Sequence, residues 1–479
     1  MTIQEVQESL MSGRYPEAVN GAADLVQANP RNAQAWVSLG EGLQLLGRTY
    51  EAWLAYERGW ILDPAAAWVP RVRAQVGATP KGPVAGWLVR ALTVPEVSVA
   101  AALIVRNEAR TMAAVIDHVM PAVDEIIVVD TGSTDETIAI VESRGIRVFR
   151  YPWNEDFSAA RNFALSHVSA DWVLWIDGDE VLQPDDVSVP RLVAGLFESI
   201  DEPVLLRIVQ ENQIGTQVEP NYDMSRFHST RKGIRWWGRI HEQLGIEEDG
   251  RFKGDLSRPV VRLRVTHDGY QPEIMQSKQK LQRNIRLLRL NIEERPDDVA
   301  SWGFLGRELL LSGQLSEGID ALYTAESLAV KQPSYGRLAE VRAFLTDALL
   351  GQDRIDEAIA VTERSVADSP HFPGGWYGYG KARLAKALRL LKEAREGFEK
   401  AQSTAPGYRG LVTVDRAIGQ WRAAAGIADV AKLTGNWIEA SAIFNQVLAA
   451  NPGLEAVRSQ VLEIQRQASA LSQQEGRST

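Results

Sequence analysis

Short apolar segments alternate with helical patterns between residues 97 and 176. The segments at 99–105, 126–129, 146–149 and 172–176 predict strands. The stretches between them, including 111–120 and 157–168, predict helices. A strand–helix–strand–helix order predicts a parallel sheet with helices on both faces. Further strands are predicted at 203–209, 222–227 and 259–265.

The N-terminal 76 residues predict paired helices in an internal repeat. Residues 13–18 recur at 47–52, and the same offset of 34 residues separates 29–30 from 63–64. A 34-residue period is typical of tetratricopeptide repeats, which are helix-turn-helix units. Two such units are too few to bury a continuous core, so we predict that they pack against another part of the molecule.

The chain becomes helical again from residue 272. Signatures resembling the N-terminal ones begin at residues 313, 351, 391 and 435, at irregular spacing. The predicted domains are N-terminal repeats (1–76), a linker (77–96), an α/β domain (97–271), C-terminal repeats (272–468) and a flexible tail (469–479).

Composition narrows the class of protein. The 479-residue chain is 45% hydrophobic and 24% charged, as in ordinary globular proteins. Its net charge of −10 argues against a nucleic-acid partner. With no cysteine, a disulfide framework, a thiol nucleophile and Cys-bound zinc are excluded. No apolar run is long enough to span a membrane and no signal-peptide core is evident, so we expect a cytoplasmic protein.

Polar clusters follow three of the predicted strands. The carboxyl ends of parallel strands meet at one edge of a sheet, where ligands bind. Two neighbouring carboxylates repel each other, and no Lys or Arg lies close to the acidic pair in sequence. A divalent cation that also binds phosphate oxygens would relieve this repulsion. The clusters are Arg106-Asn107-Glu108, Asp130 and Asp177-Gly178-Asp179.

The segment from 222 to 270 is a second candidate part of a site. It contains three of the six histidines, namely His228, His241 and His267. A single histidine of this kind is more often a hydrogen-bonded structural residue than a ligand. Trp236 and Trp237 either contact a sugar or pack in the core.

The sequence between 97 and 290 resembles family 2 glycosyltransferases of the GT-A fold. The resemblance is closest to a bacterial subgroup in which this domain is joined to tetratricopeptide repeats. Two positions depart from the family pattern: Arg106 replaces the more usual lysine, and Asp268 replaces a common aromatic residue. The matching motifs lie at 104–108, 129–137, 156–162, 177–180 and 238–242.

This resemblance implies a Rossmann-like α/β domain that binds a nucleotide sugar, flanked by all-α tetratricopeptide-like repeats. Asp130 is expected to bind the nucleobase, usually uracil, and Arg161 the base or a phosphate. Asp179, with Asp177 and His267, is expected to bind Mn²⁺ or Mg²⁺. The implied donor-binding residues are Arg106, Asn107, Glu108, Asp130, Ser133, Arg161 and Asp177.

The resemblance also implies an inverting transfer from a nucleotide-diphosphate donor, expected to be a UDP-sugar. The metal ion offsets the charge that develops on the leaving diphosphate. A general base accepts the proton of the attacking acceptor. Glu242 is the first candidate for this base and His241 is the second.

The acceptor is left open by the sequence. Flanking repeats favour a protein or peptide acceptor, and a lipid-linked or polysaccharide acceptor is the alternative. If the repeats do not bind the acceptor, they would instead join copies of the chain into a homo-oligomer. A sugar nucleotidyltransferase is disfavoured because no glycine-rich loop follows the first strand. An interaction scaffold with an inactive core is disfavoured because both aspartates, Asp130 and Glu242 are present.

Overall fold

The computed structural model describes residues 1–214, 217–249, 251–267 and 278–475. The chain divides into two compact units, Met1–Phe304 and Leu305–Thr479. The first unit contains the N-terminal helices, the β-sheets and the helices around them. In the described part of the second unit, regular structure is entirely helical.

A mixed sheet is the centre of the first unit, and its described strands lie in the order β3-β2-β1-β4-β7-β6-β11-β5. Strands β8 to β10 form a separate small antiparallel sheet. The strands are β1 Val99–Val105, β2 Glu125–Asp130, β3 Val148–Arg150, β4 Trp172–Trp175, β5 Glu180–Leu182, β6 Leu205–Ile214, β7 Gln217–Ser229, β8 Arg235–Trp237, β9 Gln243–Glu248, β10 Arg251–Lys253 and β11 Val260–His267.

The first four strands pair in parallel, as the sequence predicts. The other half of the sheet differs, because β7 pairs antiparallel with β4 and β5 pairs antiparallel with β11. The prediction of a parallel sheet is therefore correct for one half only. Strands β5, β8 and β10 have three residues each, too few to show an alternating pattern in the sequence.

Helices cover both faces of the parallel strands. Alternate residues of β1 point to opposite faces: Leu103 packs in the core beside α7 and α10, whereas Ala102 packs in the core beside α9. This arrangement explains why the strands are apolar throughout. The helices of this part are α7 Met112–Val119, α8 Thr137–Glu142, α9 Phe157–Leu165 and α10 Val189–Phe197.

The predicted 34-residue repeat is visible in the N-terminal helices. Helices α2 and α4 begin and end 34 residues apart, and each is preceded by a glycine with φ of +75°, Gly13 or Gly47. Leu88, inside the predicted linker 77–96, is fully buried in the helical core, so this segment is more than a connector. The helices are α1 Ile3–Met11, α2 Tyr15–Ala28, α3 Ala33–Leu45, α4 Thr49–Leu62, α5 Val69–Val76 and α6 Gly86–Leu92.

The N-terminal repeats pack on the sheet through β11, in agreement with the prediction that they need support. The Arg262 guanidinium lies 4.0 Å from the centre of the Trp60 ring on α4. It donates a hydrogen bond of 2.6 Å to Glu57 and forms a 3.1 Å ion pair with the buried Asp186. A charge this deeply buried requires such partners.

Further helix pairs follow residue 278 and repeat a local contact of the N-terminal units. The indole N–H donates to the carbonyl of the proline six residues earlier at Trp36, Trp302 and Trp376. The helices are α11 Lys278–Glu294, α12 Val299–Leu311, α13 Leu315–Lys331, α14 Leu338–Gly351, α15 Ile355–Asp368, α16 Pro373–Thr404, α17 Ala423–Leu433, α18 Trp437–Ala450 and α19 Glu455–Glu475.

Two predictions about chain segments need comment. Helix α19 extends to Glu475, so the first part of the predicted flexible tail 469–479 is helical. Its Ala, Leu, Gln and Glu residues favour helix, and the next residue in sequence is a glycine. Asp268 lies outside the described residues. No helix in the described part of the chain is both long and apolar enough to cross a bilayer.

His228 is a structural residue of the sheet. Its Nε2 accepts a hydrogen bond of 3.1 Å from Trp175 Nε1, and its Nδ1 donates one of 3.0 Å to the Ser229 carbonyl. Burial lowers its pKa to about 4, although the bond to Ser229 acts in the opposite direction. This ring is therefore neutral in the folded protein at pH 7.

We expect His228 to make the folded state sensitive to acid. Because its pKa is about 4 when folded and roughly 6.5 when unfolded, the unfolded chain binds more protons between these values. The contribution is complete above pH ~6.5 and is lost as the pH falls towards ~4, costing about 2 kcal/mol by pH ~5. Urea unfolding of the wild type and His228→Gln at pH 7.5 and 5 measures this, and equal pH dependence in both proteins would contradict it.

Candidate active site

The three polar strand ends meet at one edge of the sheet, as predicted. The backbone amide of Asn107 donates to Ser133 Oγ at 3.0 Å. This bond joins the end of β1 to the loop after β2. Thr111 Oγ1 donates to the Gly178 carbonyl at 2.6 Å. This bond joins the start of α7 to the acidic turn, Asp177-Gly178-Asp179. The motifs of three separate sequence segments therefore form one cluster.

Asp177, directly after β4, lies between two arginines. Arg161 Nη2 donates to one carboxylate oxygen at 2.8 Å, and Arg226 Nη2 donates to the other at 2.6 Å. Burial raises the pKa of Asp177, but Arg226 and Arg161 outweigh burial and hold the pKa well below its usual range. The positive charge that the sequence argument assigned to a metal ion is thus supplied to Asp177 by the protein. Both arginines are distant from Asp177 in the sequence, so the residues next to the acidic pair do not reveal them.

Arg161 also binds the candidate base. Its Nε donates to Glu242 Oε1 at 2.7 Å, so one guanidinium joins Glu242 to Asp177. The guanidinium lies 4.6 Å from the centre of the Trp236 ring, which is buried in the core. Its Nη1 is buried, with no hydrogen-bond acceptor among the described residues. Trp236 therefore packs in the core and supports Arg161.

Local contacts fix the orientation of helix α9, from which Arg161 projects. Asp156 caps the helix by accepting a 2.9 Å hydrogen bond from the Ala159 amide. Asn162 exchanges two hydrogen bonds with the backbone of Trp236, at 2.8 and 3.0 Å. These contacts leave Arg161 facing the acidic turn and the end of the small sheet.

Asp179 and His267 form a separate pair at the same edge. His267 Nε2 lies 3.3 Å from Asp179 Oδ2, and Nδ1 donates to Asn212 Oδ1 at 3.1 Å. Burial lowers the pKa of His267, but the Asp179 carboxylate raises it, and the net pKa is above its usual value.

The pair suits a divalent cation. In a neutral His267 with the proton on Nδ1, the Nε2 lone pair points towards Asp179, and the bond to Asn212 is the kind that orients a metal-binding histidine. Within the described residues, no group of three or more His, Asp or Glu side chains is arranged to hold a metal. Mg²⁺-type sites commonly use one or two protein ligands together with substrate phosphates, so Asp179 and His267 fit such an ion.

Two further acids lie beside the aspartates. Burial, followed by Asp179 and Asp177, raises the pKa of Glu108 to about 7. A Cβ atom on Gly178 would lie 2.6 Å from Glu108 Cγ, so glycine is required here by close packing. Glu180 is fully buried and accepts hydrogen bonds from the Asp177 amide at 2.9 Å and from Gln210 at 2.6 Å. Burial and then Asp177 raise the pKa of Glu180.

The remaining donor-binding candidates lie at the ends of β1 and β2. Asp130 is buried, and its carboxylate accepts hydrogen bonds of 3.0 Å from the amides of Gly132 and Ser133. Asn107, with φ of +59°, accepts from the Thr134 amide at 2.8 Å, and Arg106 is exposed. The roles of these residues towards a nucleotide stay predictions.

His241, the second candidate base, is oriented by another contact. It has φ of +49°, and its ring stacks on Phe304 with centroids 4.3 Å apart.

Trp237, the second of the paired tryptophans, packs against Phe252, and the two ring centroids are 5.6 Å apart.

Arg226 and Glu180 are the site residues that the sequence did not reveal. Arg226 lies in the predicted strand 222–227, where a single charged residue looks like an ordinary solvent-facing position. Glu180 follows the acidic pair directly and lies in the 177–180 motif. Its complete burial depends on the pairing of β5 with β11 and of β11 with β6, which are distant in sequence.

The sheet order and the clustered strand ends agree with the GT-A fold predicted for the sheet-containing part of the first unit. Residues 101–248 match the model of Glycosyl transferase family 2, so this part of the chain is similar to members of that family.

Two relatives are similar to parts of this chain. A TPR repeat-containing protein of Synechococcus elongatus is 31% identical over 222 residues, which cover 44% of this chain and 52% of the relative. The SPbeta prophage-derived glycosyltransferase SunS of Bacillus subtilis is 27% identical over 251 residues, 52% of this chain and 56% of the relative. The chain thus spans about half the length of these relatives.

One similar solved structure is glucosyl-3-phosphoglycerate synthase of Mycobacterium tuberculosis in complex with Mn²⁺ and UDP-glucose. It is 28% identical, with a TM-score of 0.21, over 23% of this chain and 44% of that chain.

Proposed function

We propose that this protein transfers a sugar from a nucleotide diphosphate, expected to be UDP, to an acceptor with inversion at the anomeric carbon. The observation that best supports the proposal is the division of charge at the acidic turn. Asp177 is neutralised by two arginines, whereas Asp179 faces His267. One side of the turn is thus a fixed network, and the other suits a cation with a diphosphate.

Mn²⁺ or Mg²⁺ would be held by Asp179 and His267, and when bound it would offset the negative charge of the leaving diphosphate. Asp177 stays ionised and about one-third exposed. Its remaining lone pairs suit a ribose hydroxyl. Glu108 packs on Gly178, and its neighbour Asn107 bonds to Ser133 in the loop after Asp130, where the nucleobase is expected.

Glu242 is the proposed general base. The Arg161 bond holds Oε1 and leaves Oε2 to accept a proton from the acceptor. Arg161 orients the Glu242 carboxylate, in the same way that a neighbouring hydrogen-bonding residue orients the catalytic base in other enzymes. His241 is the weaker candidate, because its ring stacks on Phe304.

The proposed metal site predicts a metal-dependent loss of activity. We expect a screen of nucleotide sugars to show hydrolysis of a UDP-sugar with Mn²⁺ or Mg²⁺, and Asp179→Ala to abolish it. The exposed Asp185 provides a matched control, since Asp185→Ala should keep the wild-type rate. Full turnover in excess EDTA would contradict the metal requirement.

The proposed base predicts a rate defect without a binding defect. We expect Glu242→Gln to slow turnover by about 10²–10⁴ while calorimetry shows normal UDP affinity. His241→Gln should retain most of the rate. If Glu242→Gln instead loses UDP affinity, Glu242 is a donor ligand or a structural residue.

We propose a protein or peptide acceptor recruited by the helical repeats. The support is the paired-helix architecture of the second unit, a type of repeat that commonly binds polypeptides.

A radiolabelled UDP-sugar distinguishes the classes of acceptor. Incubated with the full-length enzyme and a cell extract, it should label material that precipitates with acid and is released by protease, and Glu242→Gln should not label it. Label that is extracted by butanol would identify a lipid-linked acceptor instead and overturn this part of the proposal.

A further inference from the structure

Three residues near the candidate base have a left-handed backbone, which is unfavourable for the two that are not glycine. Gly238 has φ of +94°, His241 of +49° and Glu155 of +65°. The first two belong to residues 238–242, here called the base loop, which ends in Glu242. Glu155 lies just before α9. A side chain with a Cβ atom rarely adopts this conformation unless surrounding contacts impose it.

Helices α11 and α12 provide contacts to these segments. The Glu294 carboxylate at the end of α11 accepts two hydrogen bonds from Arg239, one of them 3.3 Å from Nε. Arg286 on α11 forms an ion pair with Glu155. Phe304 on α12 stacks on His241.

The two segments also contact each other. The Phe157 amide, at the start of α9, donates to the Arg239 carbonyl at 2.9 Å, and Arg239 Nη1 donates to the Glu155 carbonyl at 3.4 Å. Arg239 is thus the residue at which α11, the base loop and the start of α9 meet. Arg161 and Glu242 project from the two segments that it joins.

We propose that α11 is part of the catalytic module and that Glu294 is a positioning residue for Glu242, acting through Arg239. This inference rests on the proposed function, because it assumes that Glu242 is the base. It places the functional end of the catalytic module beyond the predicted boundary at residue 271.

The alternative is that Arg239 and Glu294 form an ordinary surface ion pair. Glu294 is about half exposed, and exposed pairs contribute little to stability. The two interpretations differ in what they predict for catalysis. A surface pair leaves turnover unchanged, whereas a positioning pair lowers turnover while leaving the nucleotide site intact.

Charge reversal tests the inference on the full-length protein with Mn²⁺ and the UDP-sugar that is hydrolysed fastest. We expect Glu294→Arg and Arg239→Glu each to lower kcat by roughly tenfold to a hundredfold, because small displacements of a catalytic group cost rate on this scale. KM and UDP affinity should be unchanged. The double reversal Arg239→Glu/Glu294→Arg re-forms the ion pair but not the bond to the Glu155 carbonyl, so it should restore part of the rate.

Glu293→Arg is the matched control, because Glu293 is exposed on the same helix and is next in sequence. It should keep the wild-type kcat. If Glu294→Arg does not fold, judged by its thermal unfolding, Glu294→Gln replaces it and should also lower kcat.

Wild-type kcat in Glu294→Arg, or a loss that the double reversal does not reduce, overturns the inference. Glu242→Gln measured in parallel separates the two proposals. If Glu242→Gln is slow and Glu294→Arg is not, only the positioning role fails. If Glu242→Gln is as fast as the wild type, the proposed base fails, and the inference fails with it.

Discussion

The site depends on one buried guanidinium. Arg161 donates to Asp177 and to Glu242, and Arg226 completes the neutralisation of Asp177. Without Arg161, two carboxylates from distant parts of the chain would each lose a buried hydrogen-bond donor. The features around Arg161 follow from this requirement: Asp156 caps its helix, Asn162 joins that helix to β8, and Trp236 packs beneath the guanidinium.

This network separates two carboxylates that look equivalent in the sequence. Asp177 is balanced by protein charges, so it serves as a fixed anionic acceptor. Asp179 faces His267, whose ring is oriented by Asn212, and this pair is the proposed site for a cation and a diphosphate. The antiparallel half of the sheet makes the separation possible, because Arg226, Asn212 and His267 lie on β7, β6 and β11.

The sequence predicted the parts of the fold that rest on local patterns. The four apolar strands, the convergence of their polar ends and the 34-residue repeat all appear in the structure. Contacts between segments that are distant in the sequence could not be predicted from local patterns. Arg226 is one charged residue in an alternating strand, and α11 contacts the base loop through Arg239 and Glu294. Local spacing alone is also misleading where tertiary contacts prevail. Ser133 and Glu136 have the spacing of a capping box, but Ser133 accepts from Asn107, and Asp135 accepts from the amide of Thr137, where α8 begins.

We propose that the acidic turn has a protein-neutralised side at Asp177 and a metal-binding side at Asp179. Anomalous scattering from crystals grown with UDP and Mn²⁺ tests it most directly. We expect one Mn²⁺ ion bound by Asp179, His267 and the UDP diphosphate, with Arg161 and Arg226 still bound to Asp177. An Mn²⁺ ion bound to Asp177 in place of the arginines, or UDP bound at this edge with no metal, would contradict it.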